Sequence, residues 1–194
     1  MLAAIKYNLS HLTDFGGRDT RQTFWFYVLF LVLVETALSF AISIPLTGQM
    51  MGEAVVAATR GASETEIQQR MFENIGRMMR VSVWLSSVLT VAMMALLAAS
   101  FTRRLHDSGK TGWITAVTIA LHLLALAMTV TSIDDAVRLV VLVQTGHADV
   151  VGVLQKKFAV QSLIAWVPVA IVIVFGAWPG TKGENRYGPK PLQE

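Results

Sequence analysis

The adjacent pair His106-Asp107 is the most chemically suggestive feature of the chain. An imidazole beside a carboxylate suits acid–base work, with Ser108 next to it as a formal nucleophile. Neighbouring residues on a turn, however, rarely converge on one reaction centre. A metal would need more ligands, and His11 is the only other histidine in the segments grouped with this pair below. The simpler expectation is that Asp107 pairs with Arg103 or Arg186 and that His106 bonds to backbone. No catalytic residue and no metal ligand set is assigned. The stretch Ser108-Gly109-Lys110-Thr111 lacks the upstream glycine and the preceding strand of a phosphate loop, so a nucleotide site is rejected.

Arginine supplies the second chemistry. Arg18, Arg21, Arg103, Arg104 and Arg186, with Lys110, recur beside apolar runs. Guanidinium forks match phosphate oxygens bidentately, and anionic lipids attract basic residues near a membrane by about 1 kcal/mol each. These six are the candidates for binding a lipid headgroup or another phosphate. The alternative is that they only orient the chain in the bilayer.

The third chemistry lies inside apolar runs. Glu35 sits midway along the first and His122 midway along the third. A charge at the bilayer centre costs about 2.5–3.5 kcal/mol, so such residues face a bundle interior and often serve function. One reading has them share a proton; the other has Glu35 bond to Thr36, Ser39 or a serine of the second run.

These side chains must be positioned by helices that cross a membrane. Only 15% of the 194 residues are charged, against 54% hydrophobic, where a soluble domain carries about 25% charged residues. Four runs explain the deficit: 24–46, 81–101, 113–133 and 158–178. Each gives roughly 30–35 Å of helix, enough to span. They are apolar all round, unlike the striped helices of a soluble bundle. Phe24, Trp25, Tyr27, Trp113 and Trp178 mark their ends, as aromatic rings do at a membrane–water boundary. The first run follows 23 largely polar residues and exceeds the length of a signal-peptide core, so it reads as a retained span. With no cysteine, disulfides and thiolate chemistry are excluded. The pI near 9.4 comes without a long basic stripe, so nucleic acid is not expected as a partner.

The expected fold is therefore an all-α integral membrane domain covering 1–194, a four-transmembrane-helix antiparallel bundle. Residues 1–23, 102–112 and 179–194 then share one side, with nine basic against five acidic residues, net +4. The other side, 47–80 and 134–157, has seven of each, net zero. The positive-inside rule puts both termini in the cytoplasm. Helical extensions are expected on the non-cytoplasmic side. Ser63-Glu64-Thr65-Glu66 has the form of a capping box leading without a break into the second span. Ser132 to Asp135 caps a short helix through Val143, ended by Gly146, and Asp149 starts the helix that enters the fourth span. Pro168 should kink the fourth span. Ser86, Ser87, Ala92, Ala95, Ala98 and Ala99 allow close helix approach along the second. Only eleven residues join spans two and three, a tight hairpin in which Gly109 and Gly112 permit positive φ.

Three polar motifs fall on the basic side: Gly17-Arg18-x-x-Arg21 with Phe24-Trp25, Arg103-Arg104-Leu105-His106-Asp107-x-Gly109 with Gly112-Trp113, and Gly183-x-Asn185-Arg186-Tyr187-Gly188-Pro189. In this order they resemble the bacterial inner-membrane family of domain of unknown function 805, DUF805, over nearly the whole chain. Lys110 and Thr111 stand where Arg and Ser are common in that family, and Lys190 where an acidic residue is frequent. The resemblance implies a four-helix inner-membrane protein and supplies no activity. The hairpin and tail residues His106, Asp107, Gly109, Gly112, Trp113, Asn185, Tyr187 and Gly188 are read as structural.

Three function classes remain. The first is a non-enzymatic inner-membrane protein whose basic face binds anionic phospholipid or a partner. The second is a small proton-linked transporter using Glu35 and His122, which would need an oligomer to enclose a path. The third is a membrane enzyme acting on lipid phosphate through His106 and Asp107. No haem, quinone or flavin motif is present and no cofactor is expected. Partners are the bilayer, a second copy, or another membrane protein.

Overall fold

A computed structural model describes residues 1–144 and 148–191. Six helices follow one another: α1 (Leu2–Ser10), α2 (Arg21–Thr59), α3 (Glu64–Asp107), α4 (Trp113–Thr131), α5 (Ile133–Gln144) and α6 (Ala148–Ala177). Four of them, α2, α3, α4 and α6, are long and apolar enough to cross a membrane. Their most apolar windows bury only 6–17% of their residues inside the protein. A soluble fold would hide such surface, because leaving it in water forfeits about 25 cal/mol per Å². Lipid is the solvent these helices fit, which makes this a multi-pass membrane protein.

The first two predicted spans lie within α2 and α3, whereas the third and fourth overrun the ends of α4 and α6 by two residues and one. The first span was expected to end at Leu46, whereas α2 continues through Pro45 to Thr59. Apolarity marks where lipid ends, not where the helix does. The expected start of α3 is found: the Ser63 hydroxyl accepts the Glu66 N–H at 3.2 Å, satisfying an orphan donor of the first turn. The short helix after the third span is α5, and α6 begins one residue before Asp149; the predicted stop at Gly146 lies outside the described residues. Helix α1 was not foreseen.

The chain forms two compact units. The first comprises Met1–Glu35, Leu89–Leu126 and Leu163–Glu194. Its core is Phe24, Phe101 and Leu105, packed against Trp25, Leu97, Ile114, Ile171 and Phe175. Gly176 permits this packing, since a Cβ there would come within 2.6 Å of the Phe24 ring. The second comprises Thr36–Val88 and Ala127–Ser162. In it Val137 of α5 lies against Gly76 of α3, where a Cβ would meet the valine at 3.2 Å. Exposed ion pairs Arg80–Asp134 and Lys157–Asp135 complete that contact region. The small-residue stripe predicted on the second span packs only in part: Ser87 and Ala99 are buried, while Ser86, Ala92 and Ala95 face outward.

Candidate functional site

The site is built where α3 ends. Its last turn carries Arg103, Arg104 and Asp107, and the chain leaves it through a Schellman turn. Lys110 N–H donates to the Leu105 carbonyl at 2.9 Å and Gly109 N–H to His106 at 3.0 Å, with Gly109 at φ +69°. That left-handed position favours glycine, as the hairpin predicted. Gly112 serves differently from its expected role: its φ is not positive, but a Cβ there would lie 2.7 Å from Thr102 Cγ2 and 3.1 Å from His106 Nε2. It is a close-approach glycine.

Three arginines then fasten three separate pieces of chain to this turn. Arg18 places Nε and Nη2 3.1 and 2.9 Å from Asp107 Oδ1, and donates further to the carbonyls of Thr181, Gly183 and Gly188 in the tail. Arg104 meets Asp107 Oδ2 through Nη1 at 2.5 Å, and donates to the carbonyls of Gly176 and Trp178. Those carbonyls lie at the C-terminus of α6, where the helix leaves acceptors unpaired and favours a cation. Arg103 reaches the other way, donating to the carbonyls of His11 and Asp14 and to Asn8 Oδ1 at 2.6 Å. Its Nε lies 3.2 Å from Asp19 Oδ2, an ion contact whose N–H is not aligned for a hydrogen bond. Burial pushes the Asp19 carboxyl above its ordinary range, and Arg103 offsets only part of that.

The tail is held by backbone and ring contacts as well. Thr181 N–H donates to the Asp107 carbonyl at 2.8 Å, and Asn185 Nδ2 to the His106 carbonyl at 2.9 Å. Tyr187 stacks on His106 at 3.7 Å with planes 7° apart. His106 Nδ1 lies 3.3 Å from the Gly17 carbonyl, which only accepts, so that nitrogen carries the hydrogen. Asn185 and Gly188 close a tight turn, with Gly188 at φ +122°. Gly180 lets the tail pass the carboxylate: a Cβ there would sit 2.2 Å from Asp107 Oδ2.

Asp107 was expected to pair with Arg103 or Arg186; it pairs with Arg18 and Arg104 instead. Arg103 projects from the neighbouring position of the helix, turned about 100° away, which sends it to Asp19. The expectation that His106 bonds to backbone matches the Gly17 contact. The six cations put forward as phosphate ligands fall into two groups. Arg18, Arg103 and Arg104 are at most 6% exposed, with their donors turned to protein acceptors. Arg21 and Arg186 are exposed and Lys110 half-buried. Among the described residues none of these three meets a carboxylate; Arg186 lies over the Tyr187 ring and Lys110 over Trp178. No role was assigned from sequence to Asn8, Asp19, Thr181 or Gly180. Among the described residues no group of three or more His, Asp or Glu could hold a metal ion.

Glu35 and His122 line one cavity of about 420 Å³ in the first unit. No hydrogen bond or ion pair joins them to each other or to any other described residue, so neither the shared proton nor the serine or threonine partner is present as a contact.

Residues 12–189 match the family described as "Protein of unknown function (DUF805)". The chain belongs to the DUF805 family. The buried turn, the Arg18 segment and the Asn185–Pro189 tail, which carried the resemblance in the sequence, all fall inside the matched range. Comparison with curated proteins and with solved structures gives no match.

Proposed function

We propose that this DUF805 protein is a non-enzymatic protein of the bacterial inner membrane, an antiparallel four-span bundle with both termini cytoplasmic. Its exposed cations Arg21, Lys110 and Arg186 engage anionic phospholipid headgroups. The observation that supports this reading is the division of the basic residues. Arg18, Arg103 and Arg104 are buried and committed to protein acceptors, and act as fasteners. The remaining three keep donors for a ligand; Lys110 lies over the ring of Trp178, and Trp113 and Trp178 are both exposed, as interfacial aromatics should be. A non-enzymatic reading is supported by the state of His106 and Asp107. Both Asp107 carboxylate oxygens are held by buried arginines, and the imidazole is stacked on Tyr187 with Nδ1 bonded to backbone and Nε2 close against Gly112, so the two groups are not arranged to relay a proton between them.

Native mass spectrometry of the detergent-purified protein tests the reading. Removing the lock arginines would unfold the site, so the informative variant is Arg21→Gln/Lys110→Gln/Arg186→Gln. At about 1 kcal/mol per cation, the triple change should weaken phosphatidylglycerol retention roughly a hundredfold. Equal retention by variant and wild type, or retention by neither, would reduce the basic face to an orientation signal.

A further inference from the structure

The cavity that holds Glu35 and His122 lies within α2, α3, α4 and α6 of the first unit. Its walls are apolar, with Phe101, Met93 and Met94 among them. Three of its polar side chains have no hydrogen-bond partner among the described residues: Glu35 from α2, Thr90 from α3 and His122 from α4. Thr115 and Thr118 also line it, but the first accepts from Thr102 at 2.9 Å and the second donates to the Ile114 carbonyl at 2.7 Å. The uncommitted groups are therefore a carboxylate, an imidazole and one hydroxyl, each supplied by a different helix.

We propose that this cavity binds a lipophilic organic cation, an apolar body carrying one positive centre, with Glu35 as its counter-ion. The inference is independent of headgroup binding, which uses other residues. Among the described residues no lysine or arginine lines the cavity, so an anion would meet only the carboxylate. A wholly apolar guest would leave that carboxylate uncompensated in surroundings of low dielectric, the costly case. A bare metal ion would need several oxygen ligands, and the walls are mostly hydrocarbon. An organic cation satisfies both parts: its charge meets Glu35, while its body meets the methionines and the Phe101 ring, which attract a cation through polarisability and the ring quadrupole. His122 and Thr90 are left to bond polar atoms of the guest. The volume falls within the roughly 300–1,000 Å³ of small-molecule pockets.

Equilibrium dialysis of methyltriphenylphosphonium against the full-length protein in neutral-detergent micelles, with empty micelles as the baseline, tests this. Wild type should bind the probe saturably at one site. Glu35→Gln should weaken binding at least about tenfold, the effect of losing about 1.4 kcal/mol of ion pairing, and Glu35→Asp should recover part of it. Neutral triphenylmethane should bind no better than to empty micelles. Binding by wild type no stronger than by empty micelles, equal binding by Glu35→Gln, or equal uptake of the neutral analogue would each overturn the proposal. Should Glu35→Gln fail to fold, Val32→Phe decides. Val32 lines the cavity and is 49% exposed, so the larger ring should block the probe without crowding a core; unchanged binding by that variant would also overturn the proposal.

Discussion

Arg18–Asp107 in the first unit and Arg80–Asp134 in the second are nearly the same object. In each, Nε and Nη2 of one guanidinium approach a single carboxylate oxygen, at 3.1 and 2.9 Å in the first and 3.3 and 2.8 Å in the second. Their surroundings differ completely. The side chains of the first pair are 1% and 9% exposed, those of the second 53% and 85%. Water screens the second pair and solvates either partner once the other is gone. Nothing does so for the first. Pair geometry is therefore a poor guide to energetic weight here, and burial is the better one.

The comparison breaks most sharply at Asp107. Replacing it with alanine leaves Arg18 and Arg104 facing each other without compensation, and should cost about 3–5 kcal/mol of stability. Reversible unfolding in mixed micelles with rising dodecyl sulfate would show this; a loss below about 1 kcal/mol would make the buried pair equivalent to an exposed one. Gly180→Ala leaves every charge in place and adds only one methyl group against Asp107 Oδ2. Either the tail or the carboxylate must shift, so a loss of about 1–3 kcal/mol is expected by the same titration. An unchanged midpoint would mean that the tail is not pinned there. Arg80→Ala is the opposite pole, with an expected loss of about 0–1 kcal/mol that shrinks further in high salt. A loss approaching that of Asp107→Ala would erase the distinction between the two units.

Legibility in the sequence follows from how local each feature is. The four spans were readable because their cause is composition. The Ser63 cap and the Gly109 turn were readable because their partners lie within five residues. Helix α1 was not, since so short a segment is marginal alone. It is fastened to α3 by Asn8 against Arg103, across 95 positions, with Tyr7 under the same guanidinium. The partner of Asp107 was hidden for a related reason. Several arginines near the membrane end were equally plausible by type, and only packing brings Arg18, 89 positions away, onto the carboxylate. Gly180 carries no mark in the sequence, because its importance is the space it leaves empty. The missed end of α2 has another origin: hydropathy falls where solvent begins, while backbone hydrogen bonding carries the helix on to Thr59.

Consecutive arginines at 103 and 104 have a consequence for biosynthesis. Arg103 holds carbonyls at His11 and Asp14, made early, whereas Arg104 holds those of Gly176 and Trp178, made more than seventy residues later. Arg18 waits longer still, for Thr181, Gly183 and Gly188. From the synthesis of Arg103 until that of the tail, the nascent chain thus carries a half-closed clasp. A chain stopped after α6 would keep its four long helices and the contacts of Arg103, while Arg18 would be left without its three carbonyl acceptors in the tail.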